Sequence, residues 1–455
     1  MDSSIKNKSP LFTRTLQRTL HAHEVFFSFS EQCAAILEDP KGRGYQFIVS
    51  KKGHTTWLNN PADADIFFTS WQSKLTKKDI DFPAIQHLVY ASYEVSTLLE
   101  HLPQPKSRPP AGLLCLHEPD WSLCFQPEDK KVHLASILGE THLDVLEAML
   151  EKTSSIFNAM SSAPLPFNIS VDESGESDYS ESVERVKQYI ASGDVFQVNI
   201  ARFWQSTFPK ESLLDLYAQL RKVNSAPFAC FVQLDNFTLI SSSPERLFSL
   251  SKEGIAETRP IAGTRKRSLG DADQDLHDEL LLSDKERAEH IMLVDLERND
   301  LGRVCQSGSI EVNEFMAVEK YPTVQHIVSN IRGKLDEKYD VVDLFRAMFP
   351  GGTITGCPKV RCMEIIHEME HQARGPYTGS LGYIAWDGSA DFNIIIRSFW
   401  HTNNHLHWAA GAGIVADSNP QSEKNETEHK AAGLLRALSS SHTYCHIAAC
   451  SKTLT

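Results

Sequence analysis

The last quarter of the chain limits the fold most. Gly379 to Trp386, Phe392 to Phe399 and His405 to Ala410 are three consecutive apolar, strand-like runs. Strands joined at such short spacing pair antiparallel, because a parallel pair needs a crossover of a dozen or more residues. A long helix is then expected from Pro420 to Leu438, entered through Ser418-Asn419-Pro420. Upstream, Val195 to Trp204 alternates as a strand. Phe228 to Leu234 and Thr238 to Ser242 flank Asp235-Asn236 like a hairpin. Tyr179, Val183, Val186 and Ile190 recur at helical spacing, and Gly193 follows as a stop. Helices are also expected over 284–298 and, after Pro358, over Lys359 to Glu370. Antiparallel runs broken by helices predict an α+β class rather than an alternating parallel fold.

The N-terminal region, 1–160, is less informative. Val25 to Phe29, Gln46 to Val49 and Asp65 to Thr69 are expected as short strands, and Leu143 to Phe157 as a helix. Residues 161–177, with Pro164, Pro166 and Gly175, read as a linker or surface loop. Residues 178–438 hold the candidate chemistry, and 439–455 read as a loose tail.

Charge excludes some functions. Lys and Arg number 45 against 59 Asp and Glu, a net of −14, which opposes general nucleic-acid binding. An anionic ligand would need local cations or a metal to reverse that field. No run of eighteen apolar residues predicts a membrane span. The nine cysteines show no paired spacing and the N-terminus no apolar signal core, so reduced thiols in a cytoplasm are expected.

Two helices place acids on apolar faces. Glu289 shares a face with Met292, Leu293 and Leu296, and a buried carboxylate there demands a cation or metal. Glu426, Lys430 and Leu434 share another face, where an ordinary surface i, i+4 pair is the competing reading. Two carboxylates beside an anionic ligand suit Mg²⁺, which takes few protein oxygens. Three glycine-bearing turns, 260–264, 350–359 and 411–416, could offer bare N–H groups to carboxylate oxygens. Tight turns are the plainer reading for all three. None is a dinucleotide or phosphate loop: the strand–helix–strand setting and the Gly-Lys-Ser/Thr ending are missing. His290 and His326 sit in apolar stretches, where a core histidine is the ordinary reading. Arg397 ends the apolar Ile394-Ile-Ile-Arg, and an arginine there needs an anion.

Together the segments resemble the chorismate-utilising enzymes. The motifs are Gly193-Asp-Val-Phe-Gln-Val-Asn199, Ser243-Pro-Glu-Arg246, Thr258-Arg-Pro-Ile-Ala-Gly-Thr264, Ala288-Glu-His290 with Asp295-Leu-Glu-Arg-Asn-Asp300, the 350–359 turn, Gly411 to Ser418, and Glu426-Thr-Glu-His-Lys430. The resemblance implies two large antiparallel sheets packed orthogonally with helices outside, with both halves of the sequence interleaved. It implies chorismate as substrate and Mg²⁺ held by Glu289 and Glu426. Glu245 would be the general acid, with His326 near the ring. Gly263, Thr264, Thr353, Lys359, Tyr383, Arg397, Gly411, Gly413 and Lys430 would bind the substrate. Within the family, the water-adding branches carry a lysine base where this chain has Gln197. Water must be deprotonated and ammonia need not be, so Gln197 implies amination. A glutamine amidotransferase subunit would then supply the ammonia. The motifs around Gln197 and Ile354-Thr-Gly-Cys-Pro-Lys359 resemble the branch that aminates C4, aminodeoxychorismate synthase component I. Ala262 stands where that branch has a nucleophilic lysine, and resembles the C2-aminating anthranilate branch. A homologue that binds chorismate without chemistry would not need this full set of acid, metal pair and carboxylate clamps.

Overall fold

Apolar alternation pulls strands from both halves of the chain into the same two sheets. The computed structural model describes residues 10–159, 172–174, 179–266, 284–320 and 324–439. Among these, one sheet runs in the order Phe12–Gln17, Lys131–Ser136, Trp121–Gln126, Gln46–Ser50, Cys33–Glu38, Phe228–Leu234, Phe237–Ser243, Ser398–Thr402, His405–Ile414, Gln197–Thr207 and Gly356–Cys357. Asp172–Ser174 adds a short pairing on Gln197–Thr207. The second sheet runs Ile261–Lys266, Val324–Lys334, Ile255–Thr258, Arg246–Leu250, Ala390–Ile394, Ser380–Ala385, Ile85–Ala91, Leu114–Pro119 and Gly53–Leu58, with Glu311–Lys320 also on Val324–Lys334. All these pairings are antiparallel, and helices supply the rest of an α+β fold.

Burial sorts into layers. One apolar cluster draws on both sheets, with Val49, Leu88, Tyr90, Phe203, Leu239 and Trp400 among its members. A second lies between the first sheet and the helices Glu140–Ala159, Leu213–Val223 and Pro420–Leu438. A third joins the second sheet to Ala64–Lys74, Asp284–Gly302 and Val341–Met348. A smaller cluster seats Tyr179–Ala191 and Lys359–Met369 against the Gln197–Thr207 end of the first sheet. The helices turn apolar stripes to the sheets, and Asp284–Gly302 also buries the polar His290, Glu297 and Asp300. No helix among the described residues is long and apolar enough to cross a membrane.

The strands expected at 195–204, 228–234 and 238–242 form, as do the helices at 179–190, 284–298, 359–370 and 420–438. Three expectations are corrected. Val25 to Phe29 is the end of the helix Ala22–Ser28 with its C-cap Phe29, and Asp65 to Thr69 lies in the helix Ala64–Lys74. In both, the buried residues recur at helical spacing: Ala22, Val25 and Phe26 in one, Phe67, Phe68 and Trp71 in the other. Short apolar runs do not distinguish the two periods. Phe392 to Phe399 is not one strand. Ala390–Ile394 belongs to the second sheet and Ser398–Thr402 to the first, and the chain crosses between them at Arg397, whose φ is +53°. Most of the expected linker and tail lies outside the described residues, but Asp172–Ser174 is a strand within the former.

Candidate active site

The site grows from the first residues of the Gln197–Thr207 strand. Gln197 is buried, and its Nε2 donates to Glu289 Oε1 at 3.0 Å. That bond brings the helix Asp284–Gly302 to the sheet. The next strand, His405–Ile414, runs alongside, with Gly413 opposite Asn199 and Gly411 opposite Ala201. Both glycines are required by close approach. A Cβ at 413 would lie 2.2 Å from Gln197 Nε2, and one at 411 would lie 2.4 Å from Asn199 Oδ1 and 2.8 Å from the Tyr377 hydroxyl. Lys430 donates to the Gly411 carbonyl at 3.0 Å and pairs with Glu426 at 2.7 Å. The last helix thus delivers a cation and a carboxylate to the same strand edge.

Glu245 is a buried carboxyl near Lys430 and Arg397. Ser243 Oγ donates to the Ile394 carbonyl at 2.6 Å, and Ile394 N–H donates to the Glu245 carbonyl at 3.0 Å, which fixes the turn that carries it. Its side chain is 7% exposed, and Oε1 has no hydrogen-bond partner among the described residues. Desolvation pushes its pKa up to about 7, against the opposing pull of the Thr353 hydroxyl, Lys430 and Arg397. A carboxyl in this state can hold a proton near neutrality and give it up during reaction.

Arg397 completes the cationic side. Its left-handed backbone sits at the crossing between sheets. Its guanidinium has no hydrogen-bond or ion-pair partner among the described residues, although Tyr377, Glu426 and Glu245 act on it electrostatically. Burial lowers its pKa, the cost of holding an unpaired cation away from water. Such a group is ready for an anion. Glu289 and Glu426 offer only carboxylate oxygens, and the linked contacts Glu289–Gln197 and Glu426–Lys430–Gly411 set both beside this pocket. That donor chemistry fits Mg²⁺.

A family model described as chorismate binding enzyme matches residues 32–436. The chain belongs to the chorismate-binding enzymes. It is 51% identical over 265 residues to aminodeoxychorismate synthase component 1 of Bacillus subtilis, covering 58% of this chain and 56% of that protein. The match therefore spans little more than half of that relative's length. An anthranilate synthase component I-like protein of Synechocystis is 41% identical over 356 residues, 77% of this chain and 72% of that one. Anthranilate synthase component I from Streptococcus pneumoniae TIGR4 shares the fold at a TM-score of 0.72 and 25% identity, covering 93% of this chain and 92% of that one.

Not every expected residue of this chorismate-binding chain converges on the pocket. Gln197, Glu245, Glu289, Thr353, Arg397, Gly411, Gly413, Glu426 and Lys430 do. Lys359 is instead held by the Asp300 carboxylate, in a buried pair beside Glu297. It sits beneath the 352–354 turn rather than free in the site. Tyr383 faces a different cavity of about 540 Å³, next to Phe47, Arg246 and Asp391. Tyr377, six residues earlier, is the tyrosine whose hydroxyl lies against Gly411. The sequence carried both tyrosines in one run, Pro376-Tyr-Thr-Gly-Ser-Leu-Gly-Tyr383, but Tyr383 lies within the strand Ser380–Ala385 and Tyr377 in the turn before it. Gly263 and Thr264 lie in the strand Ile261–Lys266 at a register shift, and Thr264 is opposite His326. The side chains of Thr264 and His326 fall outside the described ones. His290 is a core residue, bonded through Nε2 to Ser329 Oγ at 2.6 Å, and desolvation lowers its pKa to about 4.

Proposed function

We propose that this chain is an aminodeoxychorismate synthase component I, which replaces the C4 hydroxyl of chorismate with an amino group toward p-aminobenzoate and folate. A glutamine amidotransferase subunit supplies the ammonia in a cytoplasm. The observation that carries amination is Gln197, a neutral amide bonded to Glu289 where a water-adding enzyme needs a base. The Bacillus relative supports C4 over C2.

In this reading Arg397, Lys430, Tyr377 and the backbone at 411 and 413 hold the two substrate carboxylates. Glu245 gives its proton to the departing C4 oxygen, so the C–O bond breaks with water as the leaving group. Ammonia forms the new C–N bond and loses a proton, which returns Glu245 to its acid form. Glu289 and Glu426 would hold Mg²⁺, which when bound supplies positive charge for the ring carboxylate. Ala262 has no amine, so no lysine adduct forms at that position, and Lys359 is committed to Asp300.

Ala262 also favours a second reading, anthranilate synthase component I, in which ammonia enters C2 and pyruvate leaves. Product analysis decides between them. The purified chain is given chorismate, Mg²⁺ and ammonium, with and without aminodeoxychorismate lyase, and products are resolved by chromatography and mass spectrometry. p-Aminobenzoate that appears only with lyase is the expected result. Anthranilate and pyruvate without lyase would overturn it.

A further inference from the structure

The Gln197–Thr207 strand has an incomplete neighbour on its outer edge. Gly356–Cys357 pairs with Gln197 and Val198, and Asp172–Ser174 pairs with Phe203 to Gln205. Between them lies a gap, and two side chains fill it. Arg374 Nη2 donates to the Asn199 carbonyl at 2.7 Å, and Glu370 Oε1 accepts from Ala201 N–H at 3.0 Å. The donor and acceptor fall on alternate residues, as the backbone of a paired strand would supply them.

The same guanidinium reaches further. Nη1 donates to the Ile354 carbonyl at 3.1 Å and to Thr378 Oγ1 at 3.3 Å. Nε and Nη2 fork onto Glu370 at 2.8 and 2.7 Å. Arg374 is 1% exposed, and Glu370, Asn199, Ile354 and Thr378 are all buried. Three arms of the site therefore meet on one ion pair. The first is the strand that carries Gln197 and Asn199. The second is the 352–354 turn, held through the Ile354 carbonyl. The third is the segment that carries Tyr377, whose N–H donates to the Arg374 carbonyl at 3.2 Å. Glu94, from the N-terminal region, steadies that segment by accepting from Gly375 N–H at 3.1 Å.

We infer that the Glu370–Arg374 pair is a positioning device that substitutes for a missing strand and fixes the 352–354 turn and the Tyr377 segment against the Gln197 edge. Neither side chain is among the groups that hold substrate. The inference rests on the reading of this pocket as the reaction centre. A lysine at 374 keeps the charge but cannot fork between Glu370 and two carbonyls.

The test measures chorismate consumed, whichever product forms, by the full chain and by Arg374→Lys, with folded protein quantified by circular dichroism. The expected result is a kcat about 100-fold lower, the scale of a misplacement of about 1 Å. KM for chorismate should change little. A merely structural pair would lower the melting point and leave kcat unmoved per folded molecule, and this outcome overturns the inference. If Arg374→Lys does not fold, Glu370→Gln keeps an acceptor for Ala201 N–H and is expected to lower kcat in the same way with KM little changed. An unmoved kcat per folded molecule there overturns the inference equally. Absence of turnover by the unaltered chain is a failure of the functional reading, and is distinguished by that control.

Discussion

Two carboxyl clusters share the 352–354 turn and differ in kind. Above it, Glu245 faces Thr353, Lys430 and Arg397, with Oε1 unpartnered and Arg397 uncommitted. Below it, Glu297 accepts from Thr258 Oγ1 at 3.2 Å, and Asp300 holds Lys359. A Cβ at Gly352 would come within 2.5 Å of Leu296 Cδ2 and 3.3 Å of Glu297 Oε1, so glycine lets the turn rest directly on the lower cluster. The lower cluster finds its partners inside the protein. The upper one leaves cationic and acidic capacity for something brought from outside. Buried polar groups are usually satisfied, so the unsatisfied set marks the site and the satisfied set its foundation.

The largest way to break this contrast is Glu245→Gln. An amide keeps the shape and removes the proton, and turnover should fall by about 10³-fold, within the usual range for a general acid. Melting temperature should hold or rise, because a costly buried carboxyl is gone. In the unaltered chain the acid must be protonated to act, so kcat should fall as pH rises through about 7. A kcat flat from pH 5 to 9 would show that Glu245 is not the acid.

The next test strikes the foundation. Lys359→Met leaves Asp300 buried without its cation, and breaking a buried pair from one side costs about 3–5 kcal/mol. Urea denaturation should show that loss. Arg397→Met reverses the pattern: it removes a cation without a protein partner, so stability is kept or gained. A lost charged hydrogen bond to substrate, about 1.5–3 kcal/mol, predicts a 10- to 100-fold rise in KM for chorismate. If Arg397→Met destabilised the fold and Lys359→Met raised KM alone, the two clusters would have to exchange roles.

Much of this was legible in the sequence, and the failures have a common cause. The strand and helix periods around the site, and the acids set against apolar faces, are local signals. Glu289 and Lys430 could be picked out that way. Partner choice is not local. Nothing in the sequence distinguishes Lys359, which meets Asp300, from Lys430, which reaches Gly411. Tyr377 and Tyr383 sit six residues apart in one short run, and only the fold shows that Tyr377 lies in the turn before the strand Ser380–Ala385, with its hydroxyl against Gly411. The first 160 residues are less informative as sequence, yet Glu94 braces the Arg374 segment across 281 positions of sequence.

The smallest effect is the most discriminating for the lower cluster. Glu297 is 3% exposed, and desolvation, with the nearby Asp300 charge, holds its pKa well above the ordinary carboxylate range. In the unfolded chain it ionises at its ordinary value. Its contribution to stability is therefore fully present below that value and is lost as pH rises toward the folded-state pKa. A glutamine in the same place cannot ionise and loses nothing over that window. Glu297→Gln should match the unaltered chain in denaturation at pH 4 and become the more stable of the two by pH 8, with kcat within a few-fold throughout. Equal stability at both pH values would mean that Lys359 already neutralises Glu297 along with Asp300. The lower cluster would then be a paired triad rather than one pair beside a protonated acid.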